Sequence, residues 1–87
     1  MSKSDWVEET VTGIVADVLD VDPADIAHDA ALAALGWDST NSIEALLRLE
    51  STFPISLDLR SLHAARTVGD MVTLVDTLLE PTGTDSR

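Results

Sequence analysis

Three prolines divide the chain into stretches that a continuous helix cannot cross. Pro23, Pro54 and Pro81 each follow a segment in which apolar residues recur every three or four positions, the period of a helix buried on one side. Hydrophobic residues make up 45% of the chain and aromatic residues only 3%, so the core must be built from Leu, Val, Ile and Ala. This pattern favours helices packed on helices.

The first predicted helix spans Trp6 to Leu19, with Ser4 or Asp5 as its N-cap. A long connection follows, from Asp20 to Trp37. Compact domains tolerate such a connection mainly when its own side chains pack or when it has a function. We expect a short helical turn to begin at Asp29. The apolar residues expected to hold the connection to the core are Ile26, Leu32 and Leu35.

The second predicted helix runs from Ser39 or Thr40 to Phe53 and has a wide apolar surface. One inward stripe contains Leu46, Leu49 and Phe53. Ile43 and Leu47 extend the apolar surface onto an adjacent face. Either the long connection covers this surplus, or the surplus is a surface for a partner.

Capping residues predict the remaining helices. Asp58 is placed to cap a short third helix, and Thr67 with Asp70 forms a capping-box-like start for the last one. The expected fold is therefore a small all-α four-helix bundle, with three main helices, a short third helix and a long connection between helices one and two. We expect residues 1–80 to form a single domain and residues 81–87 a flexible tail.

Charge and cysteine content restrict the possible partners. The formal net charge of −11 would repel a nucleic-acid backbone, so basic protein partners are more plausible than nucleic acid. The first 38 residues hold nine of the acidic residues and only Lys3 as a base. Because there is no cysteine, any thiol chemistry would need an imported thiol. No segment approaches membrane-spanning length, and we expect a soluble, cytoplasmic monomer without membrane partners.

Metal binding and self-contained catalysis are not expected. Asp20, Asp22 and Asp25 have the spacing of the start of a calcium loop, but the required Gly and distal Glu are missing. Asp22 before Pro23 is better explained by turn formation. His28 and His63 lie in connecting segments without metal-ligand spacing, and we expect both to be exposed spectators.

Ser39 is the candidate modification site. Asp38 and Ser39 both favour the N-cap, yet a helix start has room for only one cap. If Asp38 is the cap, the Ser39 hydroxyl is left exposed at the positive end of the helix, where a phosphate would be stabilised. A hydrolytic triad at Ser39 is rejected, since the G-x-S-x-G motif is absent and the chain is too short to bury such a site.

The segment "LGWDSTNSIEALLRLESTFPISL" resembles the region of acyl carrier proteins around their L-G-x-D-S motif, and "VLDVDPADI" and "RTVGDMVTLV" resemble the end of that family's first helix and its last helix. The resemblance implies a carrier and no catalytic residues. A phosphopantetheinyl transferase would attach 4′-phosphopantetheine from coenzyme A to Ser39. The thiol of this arm would hold acyl groups for loading and processing enzymes of the ketosynthase, acyltransferase or ligase type.

The resemblance also assigns partner-recognition positions. Asp38 matches the acidic residue before the modified serine, while Ile43, Glu44 and Leu47 match positions that face partner enzymes. Thr40 stands where the family usually has Leu or Met. The chain also differs from the residues usual in the family at Asn41, Ala45, Arg48 and Pro54. These differences favour a dedicated carrier of polyketide or related natural-product assembly over a general carrier of fatty-acid biosynthesis.

Two alternatives stay open from the sequence. A freestanding peptidyl or aminoacyl carrier would have the same fold and arm, although its usual motif is G-G-x-S, whereas here Gly36 is followed by Trp37 and Asp38. A small acidic helical adaptor without a prosthetic group could instead bind a basic partner through its apolar and acidic face.

Overall fold

The computed structural model describes residues 3–79, which form four α-helices and two single 3-10 turns. No strand occurs within this range, where Ala31 and Thr67 make an isolated antiparallel bridge, and no helix there is both long and apolar enough to cross a membrane. The predicted all-α four-helix fold is confirmed, while the tail predicted at 81–87 lies outside the described residues. The helices are α1 (Lys3–Leu19), α2 (Ser39–Thr52), α3 (Leu59–His63) and α4 (Val68–Leu79), and the 3-10 turns are Pro23–Asp25 and Leu32–Leu35.

Capping side chains fix the starts of α3 and α4 as predicted. The carboxylate of Asp58 accepts a hydrogen bond from the backbone N–H of Ser61 at 3.3 Å. At α4, the backbone N–H of Asp70 donates to the Thr67 hydroxyl at 3.1 Å, and the N–H of Thr67 donates to the Asp70 carboxylate at 3.3 Å. Each bond satisfies a backbone donor that the first turn of a helix leaves without a partner.

Two predicted helix starts are wrong. α1 already contains Ser4 and Asp5, so neither residue is its N-cap. The second 3-10 turn begins after Ala31 and not at Asp29. The reason is tertiary: Ala31 is held extended beside Thr67, and the N–H of the next residue, Leu32, donates to the carbonyl of Arg66 at 2.8 Å. The turn can therefore begin only beyond this bridge.

α1 and α2 pack antiparallel. The ring of Trp6, at the start of α1, meets Phe53, which caps the end of α2, edge to face at 5.0 Å. Near the end of α1, Asp17 lies 3.5 Å from the guanidinium of Arg48. Among residues 3–79, the buried hydrophobic side chains are Leu, Val, Ile and Ala apart from Phe53 and Met71, close to what the composition predicts.

The long connection is held to the core by its own side chains. Ile26 and Leu32 are buried, and Leu35 packs against the core in a half-buried position. Gly36 then adopts the left-handed region at φ 83°, a conformation that a residue with a Cβ takes at a cost. Its N–H closes the second 3-10 turn on the carbonyl of Ala33, and the chain reaches Trp37 and the start of α2.

Candidate functional site

The start of α2 is fixed by a reciprocal capping box. The carboxylate of Asp38 accepts from the backbone N–H of Asn41 at 2.9 Å, and the side-chain oxygen of Asn41 accepts from the N–H of Asp38 at 2.9 Å. Asp38 is therefore the N-cap, as predicted, and Ser39 is the first helical residue. The family resemblance presented Asn41 only as a departure from the usual pattern, whereas the structure gives Asn41 a capping role.

The Ser39 side chain is exposed, and no described residue hydrogen-bonds to its hydroxyl. The capping box occupies the amides of Asp38 and Asn41 and leaves those of Ser39 and Thr40 without a partner among residues 3–79. Free amides at a helix N-terminus, together with the helix dipole, stabilise a negatively charged group. The residues present thus fit a phosphate-linked group on the Ser39 oxygen.

The other predicted site residues lie along α2 at the spacing of a single helix face. Thr40, Ile43, Glu44 and Leu47 stand at positions i, i+3, i+4 and i+7. All four are exposed, Ile43 by 47% and Leu47 by 63%. The long connection therefore does not cover the apolar side chains of Ile43 and Leu47, and the interpretation that it buries them is excluded.

Arg48 modifies the charge of this face. Its guanidinium donates to the Glu44 carboxylate at 2.8 Å, one helical turn earlier, and approaches Asp17 of α1 at 3.5 Å. Because these side chains are largely exposed, the pairs contribute little to stability. Their consequence is electrostatic, since the negative charge of Glu44 is partly compensated beside Leu47.

A hydrogen-bonded group of three side chains, Trp37, Ser42 and His63, lies at the start of α2. The indole N–H of Trp37 donates to the Ser42 hydroxyl oxygen at 2.8 Å, and that oxygen is 2.8 Å from Nδ1 of His63. Ser42 is fully buried. We call this group the Trp37–Ser42–His63 network. His63 was expected in a connecting segment, but it is the last residue of α3. Its side chain is exposed as expected, yet its hydrogen bond to Ser42 means that it is not a spectator.

The sequence contained a signal for Ser42. It falls seven residues before Leu49 and thus on the inward stripe of α2, where a polar side chain needs a partner. Nothing in the sequence indicated that the partner would be His63, because 21 positions separate the two residues.

His28 also has a structural role that the sequence did not indicate. Its Nδ1 lies 2.8 Å from the carboxylate of Glu8 in α1, and its carbonyl accepts from the N–H of Gly69 in α4 at 2.9 Å. The His28 ring lies so close to Gly69 that a Cβ there would approach Nε2 to 2.6 Å. His28 therefore joins the connection to two helices and is not a spectator.

The acidic segment after α1 forms a turn, as predicted. The Asp22 carboxylate accepts from the N–H of Ala24 at 2.9 Å and caps the first 3-10 turn. Within residues 3–79, no three His, Asp or Glu side chains are grouped so that they could hold a metal ion.

Comparison with known proteins identifies the family. The family described as "Phosphopantetheine attachment site" matches residues 9–75. The acyl carrier protein of Thermosynechococcus vestitus is 32% identical over 77 residues, which cover 87% of this chain and 94% of that protein. The chain belongs to the acyl carrier protein family. Membership makes it a carrier and not a catalyst, implies covalently attached 4′-phosphopantetheine, and decides against the adaptor alternative.

Two further relatives come from natural-product biosynthesis. A segment of the non-reducing polyketide synthase pkiA of Emericella nidulans is 36% identical over 76 residues, which cover 87% of this chain but only 3% of that synthase. A solved structure described as BlmI, a type-II acyl-carrier-protein from Streptomyces verticillus involved in bleomycin biosynthesis, superposes with a TM-score of 0.80 at 28% identity. The superposition covers 90% of this chain and 92% of that one. The structural similarity to this type-II acyl-carrier-protein therefore extends over most of the chain.

Proposed function

We propose that Ser39 carries the 4′-phosphopantetheine arm and that the protein serves polyketide or related natural-product biosynthesis. The attachment site is inferred from the start of α2, where some residues form the cap and another keeps a free hydroxyl. Asp38 and Asn41 complete the cap between them, and the exposed Ser39 hydroxyl is left without a structural task. It stands at the positive end of the helix, where the phosphodiester would be stabilised.

The attachment is a transfer catalysed by a separate phosphopantetheinyl transferase. The Ser39 oxygen attacks the phosphorus of coenzyme A that bears the pantetheine, the pyrophosphate bond breaks, and 3′-phosphoadenosine 5′-phosphate leaves. The serine proton passes to a base outside this chain. When bound, the arm supplies the thiol that this cysteine-free chain lacks and holds the acyl cargo as a thioester.

The exposed face of α2 is the proposed recognition surface for partner enzymes. Asp38 and Glu44 offer negative charge, whereas Ile43 and Leu47 offer apolar area, a combination that suits a partner with a basic rim around an apolar pocket. Thr40 stands next to Ser39 and is exposed, so a partner would meet a hydroxyl there.

The pathway assignment is supported by two relatives and by Thr40 on the exposed face of α2. The matching segment of pkiA lies in a polyketide synthase, and the BlmI structure is described as involved in bleomycin biosynthesis. Polar Thr40 argues against a general carrier of fatty-acid biosynthesis.

Enzymes of the ketosynthase, acyltransferase or ligase type are the proposed partners. The acyl type is favoured over a peptidyl carrier because Trp37 and Asp38 follow Gly36 in place of a second glycine. The cytoplasmic location and the monomeric state stay predictions.

Intact-mass spectrometry tests the attachment site. Purified protein is incubated with coenzyme A and a broad-specificity transferase, and three forms are compared: wild type, Ser39→Ala and Ser51→Ala. Ser51 is an exposed serine in the last turn of the same helix and serves as the matched control. Wild type and Ser51→Ala should each gain the mass of one phosphopantetheine, and Ser39→Ala should gain none. An unmodified wild type, or a modified Ser39→Ala, would contradict the proposal.

A further inference from the structure

We propose that Ser42 and His63 are positioning residues for modification of Ser39. Through the Trp37–Ser42–His63 network they hold the residue two positions before Ser39 against the first turn of α2. This inference rests on the proposed attachment at Ser39. It implies that α3, through His63, helps to position Ser39 at the start of α2.

The hydrogen bonds of the network meet at the Ser42 hydroxyl. An indole N–H can only donate, so the Ser42 oxygen must accept from Trp37. That oxygen has a second lone pair and a proton of its own, so Nδ1 of His63 either accepts from the Ser42 hydroxyl or donates to its oxygen, depending on the imidazole tautomer. In both arrangements His63 is one of the two side chains that orient the Ser42 hydroxyl, so removing His63 weakens the hold of Ser42 on Trp37.

Two nested pairs of contacts enclose the modified residue. The inner pair is Asp38 and Asn41, which are hydrogen-bonded to each other in the capping box. The outer pair is Trp37 and Ser42, which are linked by the indole hydrogen bond. Ser39 and Thr40 lie between them. The backbone on both sides of the hydroxyl is thereby fixed before a partner arrives, and a preorganised segment binds without the cost of ordering it.

The identity of residue 42 supports a role beyond packing. Its side chain is fully buried on the inward face of α2, where a small aliphatic residue such as the neighbouring buried Ala45 would need no partner. A buried hydroxyl is unfavourable unless it is hydrogen-bonded. The bonds of Ser42 lead to the attachment segment on one side and to α3 on the other, which is what a positioning role requires.

The Trp37 indole N–H resonance reports the network directly. The chain has two tryptophans, so a Trp6→Phe variant assigns the remaining indole resonance to Trp37. In this background, His63→Ala and Ser42→Ala should move the resonance. His63→Asn, whose amide can place either its oxygen or its N–H near the Nδ1 position, should leave it close to the wild-type shift. Ser51→Ala is the matched control and should leave it unchanged.

Loading kinetics with coenzyme A and the same transferase test the consequence. His63→Ala and Ser42→Ala should lower kcat/KM by about five- to tenfold, which corresponds to the net contribution of one hydrogen bond. His63→Asn should recover most of the loss, and circular dichroism confirms that each variant is folded. Because His63 is exposed, its replacement does not open a cavity in the core.

The outcomes separate this inference from the attachment itself. A shifted Trp37 resonance together with unchanged loading would overturn the positioning role while leaving Ser39 as the site. An unmoved resonance in His63→Ala would show that the network does not hold Trp37 and would also overturn it. A wild type that takes no group on Ser39 would remove the proposed function, and this inference with it.

Discussion

Leu47 and Leu49 stand two residues apart on α2 in opposite environments. Leu47 is 63% exposed, whereas Leu49 is 1% exposed within the core. The two residues therefore form a matched pair for separating recognition from stability. The same substitution, Leu→Ala, removes the same atoms at both positions and keeps the helical backbone.

The expected effects on stability differ by several-fold. Truncating a buried Leu costs about 2 to 5 kcal/mol, and in a domain of this size each kcal/mol lowers the melting temperature by about 4 to 8 °C. Leu49→Ala should therefore lower it by about 10 °C or more. At Leu47 only about a third of the side chain leaves water, and alanine favours the helix, so the loss should stay near 0.5 kcal/mol.

Thermal unfolding followed by circular dichroism measures the loss of stability, and the rate of phosphopantetheine loading measures the loss of recognition. We expect Leu47→Ala to slow loading by about threefold or more, since it removes apolar area from the proposed recognition face. Leu49→Ala, assayed below its melting temperature, should load at nearly the wild-type rate. If Leu47→Ala proves the more destabilising variant, the assignment of the two faces of α2 is wrong.

Two further predictions concern stability. Gly69→Ala should be about 1 kcal/mol less destabilising in a His28→Ala background than in the wild type, because the added Cβ would lie 2.6 Å from Nε2 of His28; chemical denaturation of the four forms measures this coupling. Gly13→Ala is the control: apart from its chain neighbours and the backbone of its own helix, no atom lies within 4 Å of a Cβ there, and the substitution should stabilise α1 by about 0.5 to 1 kcal/mol. The net charge of −11 predicts that raising the ionic strength from about 0.01 to about 0.15 M, which shortens the Debye length from roughly 30 to 8 Å, raises the melting temperature. A melting temperature that falls over this range would contradict mutual repulsion of the acidic groups.

Short-range features were predictable because the interacting atoms are a few residues apart. Asp38, Asp58 and the pair Thr67 and Asp70 cap their helices through bonds that reach three residues along the chain. The helix period placed Leu49 and Phe53 in the core for the same reason. Where a distant segment competes with a local signal, prediction was wrong: the pairing of Ala31 with Thr67 moved the second 3-10 turn away from Asp29.

The sequence by itself determined the helical architecture, the acidic charge, and the free serine beside a better-placed cap, since each depends on composition or on contacts within one helical turn. The tertiary structure alone decided that Ile43 and Leu47 stay uncovered. It also decided that the two histidines have partners, Glu8 for His28 and Ser42 for His63, which lie 20 and 21 positions away. Periodicity shows which side of a helix is apolar, but only packing determines what lies against it, because many distant segments could satisfy the same pattern.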